Sequence, residues 1–212
     1  RQRQMCIRDR SDDDRCDFSA NRISDLYEVL HKGKFLLTSD ELKVVGRHNI
    51  ENLLAALTLG HRFGLTLKVM VQAAIDFKGL EHRLEFVSTI NDIDYYNDSK
   101  STNAISSITA VNALFEKYNN LILISGGISK KEDYSEFFKL INEKVNAVVL
   151  IGECSSDFSK QITAPHVEVV DSMKKAVSMA TSMAEGGAVL LSPGCASFDL
   201  SLIHISEPTR RR

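Results

Sequence analysis

The densest chemistry in the sequence lies in NDSKSTN, residues 97–103, which sets an acid (Asp98), a cation (Lys100) and hydroxyls (Ser101, Thr102) just ahead of a helical pattern. Thr102 or Asn103 can cap that helix, and its free N–H groups and positive dipole end favour an anion. Lys100 adds a mobile charge for a phosphate or carboxylate, and Asp98 is placed to accept from ribose hydroxyls. The plainer alternative is a capped helix with a surface Asp98–Lys100 pair worth almost nothing.

Two further runs have the same character. In SGGISK, residues 125–130, paired glycines permit positive φ and close backbone approach, and Lys130 or Lys131 then reaches over the same edge; otherwise the glycines only make a turn. In SPGCAS, residues 192–197, Ser197 can offer its hydroxyl or N–H to an anionic substrate. Ser197 is a poor hydrolase nucleophile, because neither a G-x-S-x-G elbow nor a His partner accompanies it. Cys195 is expected to pack as a small hydrophobe. The planar fork of Arg83, next to His82, suits phosphate oxygens, or else pairs with Glu81 or Glu85. Neither His48 nor His82 belongs to a cluster with metal-ligand spacing, so protein-bound zinc is not expected. G-x-x-x-x-G-K-[ST] and G-x-G-x-x-G are absent from the 212 residues.

Residues that act together must be gathered by regular elements, and the pattern after Gly79 supplies them. Short β-rich runs at 84–90, 93–97, 121–125, 147–151, 167–170 and 188–192 alternate with helical patterns at 105–115, 134–144 and 173–183. AVVLI and LILI are apolar on both pleat surfaces, as in a sheet covered on both faces. The alternation predicts an α/β fold, a Rossmann-like, mostly parallel, doubly wound sheet, with a domain boundary near residues 79–81. In such sheets ligands bind at the carboxyl ends of strands, which is where the three runs above begin. Upstream, residues 49–63 and 66–77 read as a helical hairpin joined at Gly64, while residues 11–38 give mixed signals with a solvated acidic trio, Asp12 to Asp14.

With 43% hydrophobic and 25% charged residues the chain can bury a core without staples, which excludes disordered and collagen-like classes. Net charge is −2, but residues 1–10 carry +3 and 201–212 carry +2, leaving −7 for the body, a poor general nucleic-acid binder. The longest apolar runs fall far short of the roughly 20 residues of a membrane span. No secretory h-region is present and the four cysteines show no C-x-x-C spacing, so a cytoplasmic location with reduced thiols is expected. Residues 1–10 and 201–212 read as artefactual tails that resemble translated sequencing adapter, bounding an internal slice of a longer protein.

Four runs together resemble the Mur ligases: GRHNIENLLAA (46–56), GLEHRLE (79–85), NDSKSTN (97–103) and LLSPGCASFD (190–199). NDSKSTN is similar to the branch that adds D-glutamate; sister ligases tend to carry a DYAH or DGAHNP-like run there. The resemblance implies that residues 11–79 are the helix-containing C-terminal part of a central P-loop ATPase domain and 80–200 the C-terminal domain. It further implies ATP-driven, Mg²⁺-dependent amide formation in peptidoglycan biosynthesis, serving cell shape and division. D-glutamate would be joined to UDP-N-acetylmuramoyl-L-alanine through an acyl phosphate, by a protein that is monomeric when complete. On the same resemblance Asn49 and Asn52 lie near ATP; His82, Arg83 and Asp98 meet nucleotide phosphates and ribose; and Lys100, Thr102, Lys130 and Ser197 form the D-glutamate pocket, with Lys100 and Lys130 at the reaction centre. The Mg²⁺ ligands are expected mostly upstream. The family continues past SFD with an aromatic residue closing the pocket, whereas Leu200 onward reads differently, so the 212 residues alone are expected not to turn over. Rival readings are a ligase for another amino acid, such as a folylpolyglutamate-type enzyme, and a non-catalytic α/β binding module.

Overall fold

The computed structural model describes residues 4–7, 17–130 and 132–196. The chain divides into two compact units, Arg1–Gly79 and Leu80–Arg212. Among the described residues no helix is long and apolar enough to cross a membrane.

The first unit contains an antiparallel sheet whose strands follow chain order: β1 (Gln4–Ile7), β2 (Phe18–Ile23), β3 (Leu26–His31) and β4 (Lys34–Thr38). The mixed signals before Thr38 therefore resolve into a meander. Its turns are two residues long, between the pairs Ile23↔Leu26 and His31↔Lys34. At Lys32 and Gly33 φ is 49° and 76°, the left-handed pair that matches strand twist in a tight hairpin. β1, a run without strand alternation, still adds to the edge of β2, because a ladder needs only main-chain donors and acceptors. Two helices follow, α1 (Arg47–Arg62) and α2 (Leu67–Asp76). Ile50, Leu54 and Leu57 recur on one face of α1 and bury themselves with Phe18, Ala20, Val29 and Leu37 of the sheet and Met70 of α2.

The second unit is the expected α/β sheet. Its elements are β5 (Glu85–Ile90), β6 (Ile93–Asn97), α3 (Ala104–Phe115), β7 (Leu121–Gly126), α4 (Ser135–Lys144), β8 (Ala147–Ile151), α5 (Ser155–Ser159), β9 (His166–Val170), α6 (Met173–Met183) and β10 (Gly187–Gly194). The strand order is β5-β6-β10-β7-β8-β9, parallel throughout except β5, which pairs antiparallel with β6. Every residue of β7 and β8 is buried, as their two-sided apolarity requires. On one face Ile122, Ile124, Val149, Ile151 and Val189 pack against Ala176 and Ala180 of α6. Alternation turns Leu123, Val148, Leu150 and Leu190 to the other face, where α3 packs on β10 and α4 on α3.

The last strand enters the middle of the sheet, between β6 and β7. Loops distant in sequence, following β6, β7 and β10, thereby emerge side by side at one edge.

Candidate functional site

Those three loops are bonded to one another. The Gly194 N–H donates to the Ser101 carbonyl (2.9 Å), and Ile128 and Ala196 exchange backbone bonds of 2.8 and 3.1 Å. The buried Ser125 hydroxyl donates to the Pro193 carbonyl at 2.8 Å. At Gly126 φ is 120°, and a Cβ there would overlap the Ile151 carbonyl oxygen, so the β7 loop can leave the sheet this way only with glycine. Asn103 caps α3 by accepting the Ser106 N–H at 2.9 Å, and the amides of its first turn face the same edge.

Lys130 and Thr102 meet across this edge. The exposed Lys130 ammonium donates to the Thr102 hydroxyl at 3.4 Å, joining the β7 and β6 loops. Lys100, also exposed, is fixed by its backbone, whose N–H donates to the His82 carbonyl at 3.1 Å. That bond brings the turn before β5 to the same edge. In this turn the His82 N–H donates to Glu85 at 2.8 Å, and the His82 Nδ1 accepts from the Asn97 amide at 2.9 Å. Because the Asn97 oxygen accepts the Ser99 N–H, its nitrogen faces the ring, which leaves the His82 proton on Nε2. Arg83, between His82 and Leu84, is exposed.

Asp98 is not the surface acid of the plainer alternative that the sequence leaves open. It forms no surface pair with Lys100 and does not stand open at the rim: it is 5% exposed, with Oδ1 accepting the Leu84 N–H at 3.0 Å and Oδ2 accepting the Ser192 hydroxyl at 2.8 Å. The cause is the position of β10, whose Leu191 carbonyl takes the Asp98 N–H at 2.7 Å and draws the loop inward. Sequence reasoning missed Ser192 and Ser107, both fully buried. A serine inside VLLSPG, and another on an apolar helix face, was the signal, since a buried hydroxyl needs a partner.

Cys195 lies behind this edge as a buried thiol, 3.7 Å from the Cys154 sulfur, and donates to the Tyr134 hydroxyl at 3.4 Å. Its bond to Cys154, together with burial, pushes the Cys154 thiol up, and burial followed by Cys195 pushes the Tyr134 phenol up. Tyr134 and Cys154 thus stay protonated at neutral pH and serve packing, as expected for Cys195. Ser197 and Lys131 lie outside the described residues, as do the acidic trio and the whole of 201–212. Asn49 and Asn52 sit in the first turns of α1, in the other unit, where the Asn49 amide donates to the Val45 carbonyl at 2.8 Å. Among the described residues no group of three His, Cys, Asp or Glu side chains is placed to hold a metal ion.

A family model described as Mur ligase, glutamate ligase domain, matches residues 82–195, which contain the β6 and β7 loops and the start of the β10 loop. The chain belongs to the Mur ligase family. It is 41% identical over 167 residues to the UDP-N-acetylmuramoylalanine–D-glutamate ligase of Marinobacter nauticus, covering 78% of this chain and 37% of that protein. The ligase of the same name from Coxiella burnetii is 39% identical over 189 residues, covering 87% and 42%. This Mur ligase chain therefore spans about two fifths of the length of the curated relatives it matches. Among solved structures, MurF of Acinetobacter baumannii shares the fold with a TM-score of 0.63 at 15% identity, covering 84% of this chain and 40% of that one.

Proposed function

We propose that residues 80–200 are the amino-acid-accepting domain of an ATP-dependent ligase that adds D-glutamate to UDP-N-acetylmuramoyl-L-alanine, and that residues 11–79 belong to its ATP-binding domain. The enzyme acts in the cytoplasm, in peptidoglycan synthesis. The observation that carries this reading is the meeting of Lys130 and Thr102 at an edge where the α3 N-terminus also points. A fixed cation, a hydroxyl and free helix amides suit the two carboxylates of a dicarboxylic amino acid.

In this proposal Lys130, Thr102 and Ser197 hold the carboxylates of D-glutamate and leave its amine free. His82 and Arg83 face phosphate oxygens, Lys100 stands with Lys130 at the reaction centre, and Asn49 and Asn52 serve the nucleotide. ATP supplies the phosphoryl group that activates the acceptor carboxylate. The D-glutamate nitrogen then bonds to the activated carbonyl carbon, phosphate leaves with the C–O electron pair, and the amine gives up a proton. The chain's residues act by positioning both reactants and by placing the Lys100 and Lys130 charges where negative charge develops.

The test is Lys130→Ala in the full-length enzyme. A charged hydrogen bond contributes about 1.5–3 kcal/mol, so KM for D-glutamate rises by about ten- to a hundred-and-fifty-fold while KM for ATP stays within about threefold. Equal effects on the two substrates reject the assignment.

A further inference from the structure

We infer that Ser192 is a positioning residue of the ligase, orienting the Asp98 carboxylate that in turn fixes the turn carrying His82 and Arg83. This rests on the reading above for its substrate and on geometry for everything else.

The bonding order follows from the proton inventory. As a carboxylate, Asp98 only accepts, so the single hydroxyl proton of Ser192 goes to Oδ2 at 2.8 Å. The contact between the Ser192 and Ser107 hydroxyls, 2.7 Å, must then be donated by Ser107. Donated bonds thus run from α3 through β10 to the β6 loop and end on Asp98, which also accepts the Leu84 N–H at 3.0 Å. Ser107 and Ser192 are fully buried, so water cannot replace either link.

What the Ser192–Asp98 and Asp98–Leu84 bonds hold is a backbone that would otherwise relax. His82 and Leu84 have φ of 64° and 45°, a left-handed conformation that non-glycine residues adopt at a cost and keep only where surroundings impose it. The surroundings here are hydrogen bonds: Glu85 on the His82 N–H, Lys100 on the His82 carbonyl, Asn97 on the His82 ring, and Asp98 on the Leu84 N–H. Of the two carboxylates, Asp98 alone is buried and tied to β10. Ser192 therefore joins the turn on one side of the edge to the β10 loop on the other.

The test compares Ser192→Ala with Ser107→Ala, the same deletion at an equally buried site that leaves the Ser192–Asp98 bond standing. Hydrogen exchange of the Leu84 amide is followed in the 212-residue chain, and KM values in the full-length enzyme. Ser192→Ala speeds Leu84 exchange about tenfold and raises KM for ATP about tenfold, equivalent to about 1.4 kcal/mol. In this variant kcat, KM for D-glutamate and the protection of β7 and β8 stay within about twofold, and Ser107→Ala gives less than about threefold in every readout. Ser192→Cys, of similar volume with a weaker donor, supplies the same comparison should the alanine variant not fold. Unchanged Leu84 exchange overturns the inference. So do equal effects of the two serine variants, a parallel rise of both KM values, or lost protection throughout β7 and β8, each of which marks a merely structural hydroxyl. If the unmodified enzyme fails to ligate D-glutamate, the functional reading falls and takes the KM arm with it. Leu84 exchange in the chain itself then decides whether Ser192 fixes the turn.

Discussion

Alanine at Gly126 tests whether the site edge depends on one close approach between strands. The added methyl meets two obstacles. The backbone is at φ 120°, where a non-glycine residue costs about 1–3 kcal/mol. The Cβ also overlaps the Ile151 carbonyl oxygen, which lies there because it accepts the Gly127 N–H at 2.9 Å. To relieve the overlap β7 must draw away from β8 and lose that buried bond, a further ~1 kcal/mol. The expected loss is about 2–4 kcal/mol of the second unit's stability. Gly186→Ala is the reference: its φ is 76°, but the nearest atom, the Asp92 carbonyl oxygen, is 3.7 Å away, so only conformational strain of about 1–2 kcal/mol applies. Urea denaturation of the 212-residue chain separates the two. The chain has no Trp, and four of its five tyrosines lie in the second unit, so tyrosine fluorescence reports mainly on that unit. A Gly126→Ala chain as stable as Gly186→Ala would refute the argument, because the strand contact would then have yielded without cost.

Other expectations concern the two cores. Burial alone would raise the Asp94 carboxyl, but the Thr89 and Tyr118 hydroxyls and Lys117 together hold it below 3.8. A depressed carboxyl adds stability above its unfolded pKa that is lost as pH falls through the folded one. Tyr118→Phe therefore costs about 1 kcal/mol at neutral pH, and urea titrations should show the gap from wild type narrowing below pH 3.8. Burial, then His61 and Lys32, keep His31 below its usual 6.5, so the folded state resists its protonation. The first unit should lose stability as pH falls through 6.5, and His31→Leu should flatten that limb in thermal melts followed by circular dichroism. Phe137 is fully buried between α4 and the β10 loop, against the position a Gly194 side chain would take, so Phe137→Ala should cost about 3–5 kcal/mol by urea denaturation.

How much could be read from sequence depended on whether the deciding partner was local. AVVLI is β8 with the expected bounds because an all-apolar run between Asn146 and Gly152 has one way to satisfy both faces. IDYYN is β6, also with the expected bounds. The meander before Thr38 was not legible because Ser24-Asp25 and Lys32-Gly33 are weaker turn signals than Asn-Gly, and β2 to β4 show little alternation. At the site, loop position pointed to Lys130 or Lys131 and to Thr102 or Asn103, since strand ends collect ligands in this class of sheet, and the family resemblance chose Lys130 and Thr102 among them. Asp98 could not be placed, because its partner Ser192 lies 94 residues away and reaches it only when β10 enters beside β6. Periodicity gave the strands but held no record of their order.

The central claim is selectivity for one acidic amino acid at this edge. Phosphate release by the full-length enzyme, with ATP and UDP-N-acetylmuramoyl-L-alanine present, should depend on D-glutamate and remain at background with L-glutamate, glycine or diaminopimelate. Release with another of these amino acids at a rate equal to that with D-glutamate would contradict the account.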